Sequence, residues 1–125
     1  CIRSICNLNI KDEKNVENTY FDINSFQLFI DGYFSKIDNT LRYSYRYIPE
    51  YIYLITFELT IRFFTDFLQS NRYFNIEYET HNLFRAEVQF RFLCSFLSQI
   101  SDLLRVLNKA GIYGNNRFWT INNFL

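Results

Sequence analysis

A run of apolar residues between Asn82 and Lys109 restricts the fold of this chain more than any other feature. Ala86, Phe90, Leu93, Leu97, Ile100, Leu104 and Leu107 recur at alternating spacings of four and three. An α-helix brings such positions back to one side every second turn, and a stripe this narrow is the seam of a helix packed lengthwise against others. Asn82 stands where an N-terminal cap is expected. Lys109-Ala110-Gly111 supplies a basic last turn and the glycine that lets a helix stop.

Two further helices are predicted upstream. Phe26, Phe29, Ile30, Tyr33, Phe34, Ile37 and Leu41 follow helical spacing, with Asp22 or Asn24 as the cap and Gln27 three residues beyond Asn24. Gly32 weakens this helix without breaking it. Arg42 to Tyr47 alternates Arg or Ser with Tyr, which fits either a strand or a frayed helix end. Pro49, with Glu50 beside it, suits the first turn of the next helix. From there to Gln69 the polar residues Glu58, Arg62, Thr65, Asp66 and Gln69 share one face, and Glu58–Arg62 and Arg62–Asp66 are i,i+4 pairs. That face is expected in solvent and the opposite one in the core.

The ends are different in character. Residues 1–20, with the run Lys11-Asp12-Glu13-Lys14-Asn15, read as a loosely held arm outside the core, and residues 70–81 as a polar turn. Ile112-Tyr113, Gly114-Asn115-Asn116 and Arg117 to Ile121 read as a tight hairpin. The expected fold is therefore mainly α, a three- or four-helix bundle with a small C-terminal β-hairpin. It forms a single domain over 1–125, with an arm at 1–20 and a hairpin and tail at 112–125.

This fold has more rings than it can enclose. Aromatic residues are 21% of the 125, with 15 Phe and 10 Tyr. Some must face outward, where exposed ring area marks contact with another molecule. Tyr43, Tyr45, Tyr47 and Tyr51, around a helix boundary, and Phe118, Trp119 and Phe124, near the C-terminus, are the expected partner-contact residues. Thirteen basic residues balance thirteen acidic ones. No global field draws in nucleic acid or anionic lipid, and little self-repulsion opposes association. Protein partners or self-association are expected, with nucleic acid disfavoured by the neutral charge.

The same composition excludes several functions. The most apolar stretch, Tyr51 to Phe57, is halted by Glu58 and Arg62, short of a membrane span. Cys1, Cys6 and Cys94 are not a disulfide framework, although a Cys1–Cys6 bridge would close a small loop. Cys-x4-Cys without a second ligand pair is no zinc signature, so no metal or cofactor is expected. A reducing intracellular compartment follows from this cysteine usage. The lack of any Met points to a processed chain or a fragment, and an excess of Phe over Lys hints at organellar coding, mitochondrial for instance.

No catalytic set emerges. His81 lies in a polar stretch beside Glu77 and Glu79, Glu58, Asp66 and Glu87 have helical partners within reach, and Cys94 adjoins the apolar seam as a buried, inert thiol. The Arg/Tyr alternation at 42–47 fits a stacking platform for single strands or a protein contact. The stretch Ile100-Ser101-Asp102-Leu103-Leu104-Arg105-Val106-Leu107-Asn108-Lys109-Ala110-Gly111-Ile112-Tyr113 resembles the recognition helix and first wing strand of winged helix-turn-helix domains. That resemblance implies a DNA-binding regulator in which Ser98, Gln99, Ser101 and Arg105 face a groove and Arg117, near the tip of a wing, meets a phosphate. The expected function is a non-enzymatic structural or protein-interaction subunit of a larger assembly, with the winged-helix regulator as the alternative.

Overall fold

The computed structural model describes residues 2–7, 16–38 and 43–112. Among them the fold is mainly helical: α1 (Ile2–Ile5), α2 (Ile23–Phe34), α3 (Ile48–Leu68), α4 (His81–Ser98) and α5 (Ile100–Lys109). Single 3-10 turns at Val16–Asn18 and Tyr43–Tyr47 join them. The predicted C-terminal hairpin lies outside the described residues, as does Leu41.

The helix ends follow local chemistry. Asp22 caps α2 by accepting from the Asn24 N–H at 3.2 Å and from the Ser25 hydroxyl. The helix stops at Phe34, and the Ser35 hydroxyl donates to the Gly32 carbonyl at 2.7 Å. Pro49 sits in the first turn of α3, where its missing N–H costs nothing. At the end of α5, Gly111 takes φ 79°, the Ile112 N–H donates to Leu107 O at 2.9 Å and the Gly111 N–H donates to Asn108 O. That paired closure is a Schellman motif, and Leu107 and Ile112 both lie in the core beneath it.

The core gathers Phe26, Ile30 and Phe34 of α2, Ile48 and Ile52 of α3, Phe92, Leu93 and Phe96 of α4, and Leu103 and Leu107 of α5. Phe21 is at its centre, edge-on to Phe92 and Phe96 with ring centroids 5.8 and 5.3 Å away. Only the first turns of α3 and the last turns of α4 reach this cluster. Beyond it the two helices run on together as an antiparallel pair, joined at the far end by residues 69–80.

Several expectations are corrected here. Of the expected arm, the described residues 2–7 are held against the core: Cys6 is fully buried, Asn7 pairs with Phe21, the Asp22 N–H donates to Cys6 O, and Arg3 donates to Gln89 on α4 at 2.7 Å. The long third helix is two helices, broken at Gln99. The Phe21 N–H donates to Ser95 Oγ at 2.9 Å and Gln99 Nε2 donates to Phe21 O at 2.8 Å, so the break is stapled to the Phe21 backbone. The bend turns Leu103 rather than Leu104 fully inward. The buried face of α4 also differs from the expected seam: Phe92 and Phe96 are buried and Phe90 is 54% exposed.

Asn82 is no cap. It lies inside α4, fully buried, donating to Asp66 at 2.8 Å. Asp66 is likewise buried instead of solvated, because its carboxylate also accepts from the Tyr73 N–H at 2.8 Å and the Phe74 N–H at 3.0 Å. Cys94, expected to be buried, is exposed.

Candidate protein-docking face

The outward surface of α3 departs furthest from an ordinary helix. Leu54, Phe57, Ile61, Phe64 and Leu68 repeat at spacings of three and four, so they lie along one line of the helix. All five are 43 to 66% exposed. The stripe faces outward for a geometric reason: only Ile48, Pro49, Ile52, Thr56 and Asp66 of α3 are buried, and they occupy the opposite arc against α4 and the core. Taking roughly 200 Å² for a whole Leu or Phe side chain, the stripe exposes on the order of 500 Å² of apolar surface. That matches the largest patches found on soluble monomers, which are commonly contact sites.

Charge and ring contacts border the stripe on one side. Arg62 donates to Glu58 at 3.2 Å across one helical turn. Its guanidinium also lies over Tyr73 and Phe74, with 5.7 and 5.5 Å to the ring centroids, and so ties the 69–80 connection to α3. Between them opens a cleft of about 360 Å³, lined by Ile61, Arg62, Thr65, Gln69, Tyr73 and Phe74, with Asp66 at its wall.

Asp66 has a structural commitment there. Desolvation pushes its carboxyl up, but the backbone donors of Phe74, Tyr73 and Arg72 and the Asn82 amide outweigh it and hold the group below its ordinary range. Its backbone carbonyl meanwhile accepts from the Asn71 N–H at 2.8 Å to close α3, with Ser70 and Asn71 both in the left-handed region. His81 opens α4 stacked on Tyr78 at 4.7 Å, and its Nδ1 accepts from the Glu77 N–H. Glu87 pairs with Arg91 at 3.3 Å. Burial, and secondarily Asp22, push the Cys6 thiol up to about 12, so it stays protonated. Among the described residues no group of His, Cys, Asp and Glu has the arrangement to hold a metal ion. No helix there is long and apolar enough to cross a membrane.

The residues expected at a partner contact separate. Tyr45 turns inward, 5.1 Å from Phe34 with its hydroxyl 3.1 Å from that of Tyr33. Tyr47 is half-buried and holds Arg46, whose guanidinium lies 4.5 Å from the ring centroid. Tyr51 is exposed, one turn before the stripe. The Tyr43 side chain, Phe118, Trp119 and Phe124 lie outside the described residues. Of the groove-facing set, Ser101 and Arg105 are exposed on α5, and Arg105 pairs with Asp102 at 3.0 Å. Ser98 bonds Ser95 O and Gln99 points to the Phe21 backbone, so these two are used within the fold. Arg117 is outside the described residues.

The polar residues of α3 were legible in the sequence and this stripe was not singled out there, because α3 is apolar around most of its circumference. No known protein-family model matches the chain.

Proposed function

We propose that this chain is a non-enzymatic protein-interaction subunit whose contact surface is the outward face of α3. The observation that supports this reading is the line Leu54, Phe57, Ile61, Phe64 and Leu68, half-exposed on a helix whose other side is already packed. Aligned apolar side chains at a/d spacing are the form in which one helix receives another. The formal charge of zero leaves association unopposed at long range. Tyr51 lies at the margin of the face, where an aromatic body and a polar tip suit an interface rim.

Site-specific photo-crosslinking tests it. A photoreactive side chain at Ile61 or Phe64 is expected to yield protein adducts, and the same group at Glu87 or Arg91, across α4, is expected to yield none. Equal yields at all four positions, or none anywhere, would remove the α3 face from consideration.

A second reading, duplex binding through α5, draws on the break at Gln99, which gives α5 its own direction with Ser101 and Arg105 outward. It is the weaker of the two, because Arg105 is paired with Asp102 and the chain has no net positive charge. Salt-dependent retention on duplex DNA that is lost in Arg105→Ala would favour it.

A further inference from the structure

The stripe on α3 reads nearly the same in both directions. From Leu54 it runs Leu, Phe, Ile, Phe, Leu, with Ile61 in the middle. An antiparallel copy of the same helix, related by a two-fold axis through Ile61, therefore places Leu54 against Leu68, Phe57 within one residue of Phe64, and Ile61 against itself. A two-fold interface requires this kind of self-complementarity. A partner of unrelated sequence does not.

Charge follows the same symmetry. Glu58 and Arg62 stand on one flank of the stripe, one turn apart and on either side of the axis. In the antiparallel arrangement Glu58 of each chain lies beside Arg62 of the other, giving two cross-pairs. A parallel two-fold arrangement instead carries this flank to opposite edges of the seam in the two copies, so Glu58 and Arg62 form no cross-pair. The pattern thus selects direction as well as partner.

The area is sufficient. The stripe spans about 21 Å of helix at 1.5 Å per residue. Two copies bury on the order of 1,000 Å² of apolar surface, the threshold of a specific interface, before Tyr51 and Thr65 at the margin are counted.

We infer that the α3 face docks a second copy of this chain, antiparallel, about a two-fold axis at Ile61. The inference rests on the α3 face being a contact surface at all, and names its occupant.

Sedimentation equilibrium of the full chain over a concentration series, with hydrophobic-dye fluorescence on the same samples, tests both levels. The parent is expected to be a dimer at tens of micromolar. Ile61→Arg, which sets two guanidinium groups on the axis, is expected to weaken it about 100- to 1,000-fold with an unchanged circular dichroism spectrum. Leu68→Lys, at the most exposed end of the stripe, serves as the second variant should the first fail to fold. Glu58→Arg alone is expected to weaken the dimer about 10-fold, and the exchange Glu58→Arg with Arg62→Glu to restore it. A dimer indifferent to these changes overturns the inference. A monomeric parent that binds the dye through a site lost in Ile61→Arg also overturns it, but leaves α3 as a docking face for another protein. A monomeric parent without dye binding overturns both.

Discussion

Phe90→Ala and Phe96→Ala delete the same ring from the same helix in opposite environments. Phe96 has no exposure and its ring meets that of Phe21 edge-on at 5.3 Å. Truncating a fully buried Phe costs about 3 to 5 kcal/mol, because the transfer energy is lost and the cavity closes only partly. For a domain stable by roughly 5 to 15 kcal/mol, that is about a fifth of the total or more. At about 3 to 5 °C per kcal/mol for a chain of this length, the melting temperature is expected to fall by some 10 to 20 °C. Phe90 is 54% exposed, so its truncation is expected to cost about 1 kcal/mol and a few degrees. Thermal melts by circular dichroism at 222 nm, run at a concentration where the chain is monomeric, measure both. A Phe90→Ala loss equal to or larger than that of Phe96→Ala would show that α4 follows the heptad phase of its sequence and that the core described above is wrongly assembled.

Other perturbations have equally definite outcomes. Ser70 holds φ 66° at the position where helices favour glycine, so Ser70→Gly is expected to stabilise by about 0.5 to 1 kcal/mol, read as a higher melting temperature. The Asp66 carboxyl titrates below its unfolded-state range, so its contribution is complete above that range and is lost as pH falls through the folded-state value. The melting temperature of the parent is therefore expected to exceed that of Asp66→Asn at pH 7 by more than at pH 2; a gap independent of pH would contradict this. Alkylation of the native chain followed by peptide mapping is expected to label exposed Cys94 and spare buried Cys6, and labelling of both at one rate would contradict the packing of α1. Glu58→Ala in the monomer is expected to change stability by less than about 0.5 kcal/mol, since both partners of the pair are largely exposed.

The parts of the fold that could be read in the sequence are those decided locally. The caps at Asp22 and Gly111, the start at Pro49 and the helical spacing of Phe26, Ile30 and Phe34 each depend on a few neighbouring residues, and each stands in the structure. What could not be read depends on distant partners. Asp66 looked like the end of a solvated i,i+4 ladder until the chain returned Tyr73, Phe74 and Asn82 to its carboxylate. The break at Gln99 is stapled to the backbone of Phe21, 78 residues away. The excess of rings required an exposed aromatic surface, but placing it on α3 needed to know that α4 covers the side of Thr56 and Asp66. Tyr45 was a reasonable surface ring by composition and is held inward by Phe34 and Tyr33.

Oxidative crosslinking at single positions tests the docking of α3 on itself most directly. With Cys1 and Cys94 replaced by serine, Ile61→Cys and Leu68→Cys each add one new thiol to the stripe. An antiparallel pair with its two-fold axis at Ile61 brings the two introduced thiols together at position 61. At position 68 it holds them about 21 Å apart along the helices, far beyond the roughly 7 Å between Cα atoms that a disulfide spans. A covalent dimer is expected from Ile61→Cys and none from Leu68→Cys. Crosslinking at both positions alike would mean a parallel pair, and crosslinking at neither would mean that the stripe does not meet its own copy.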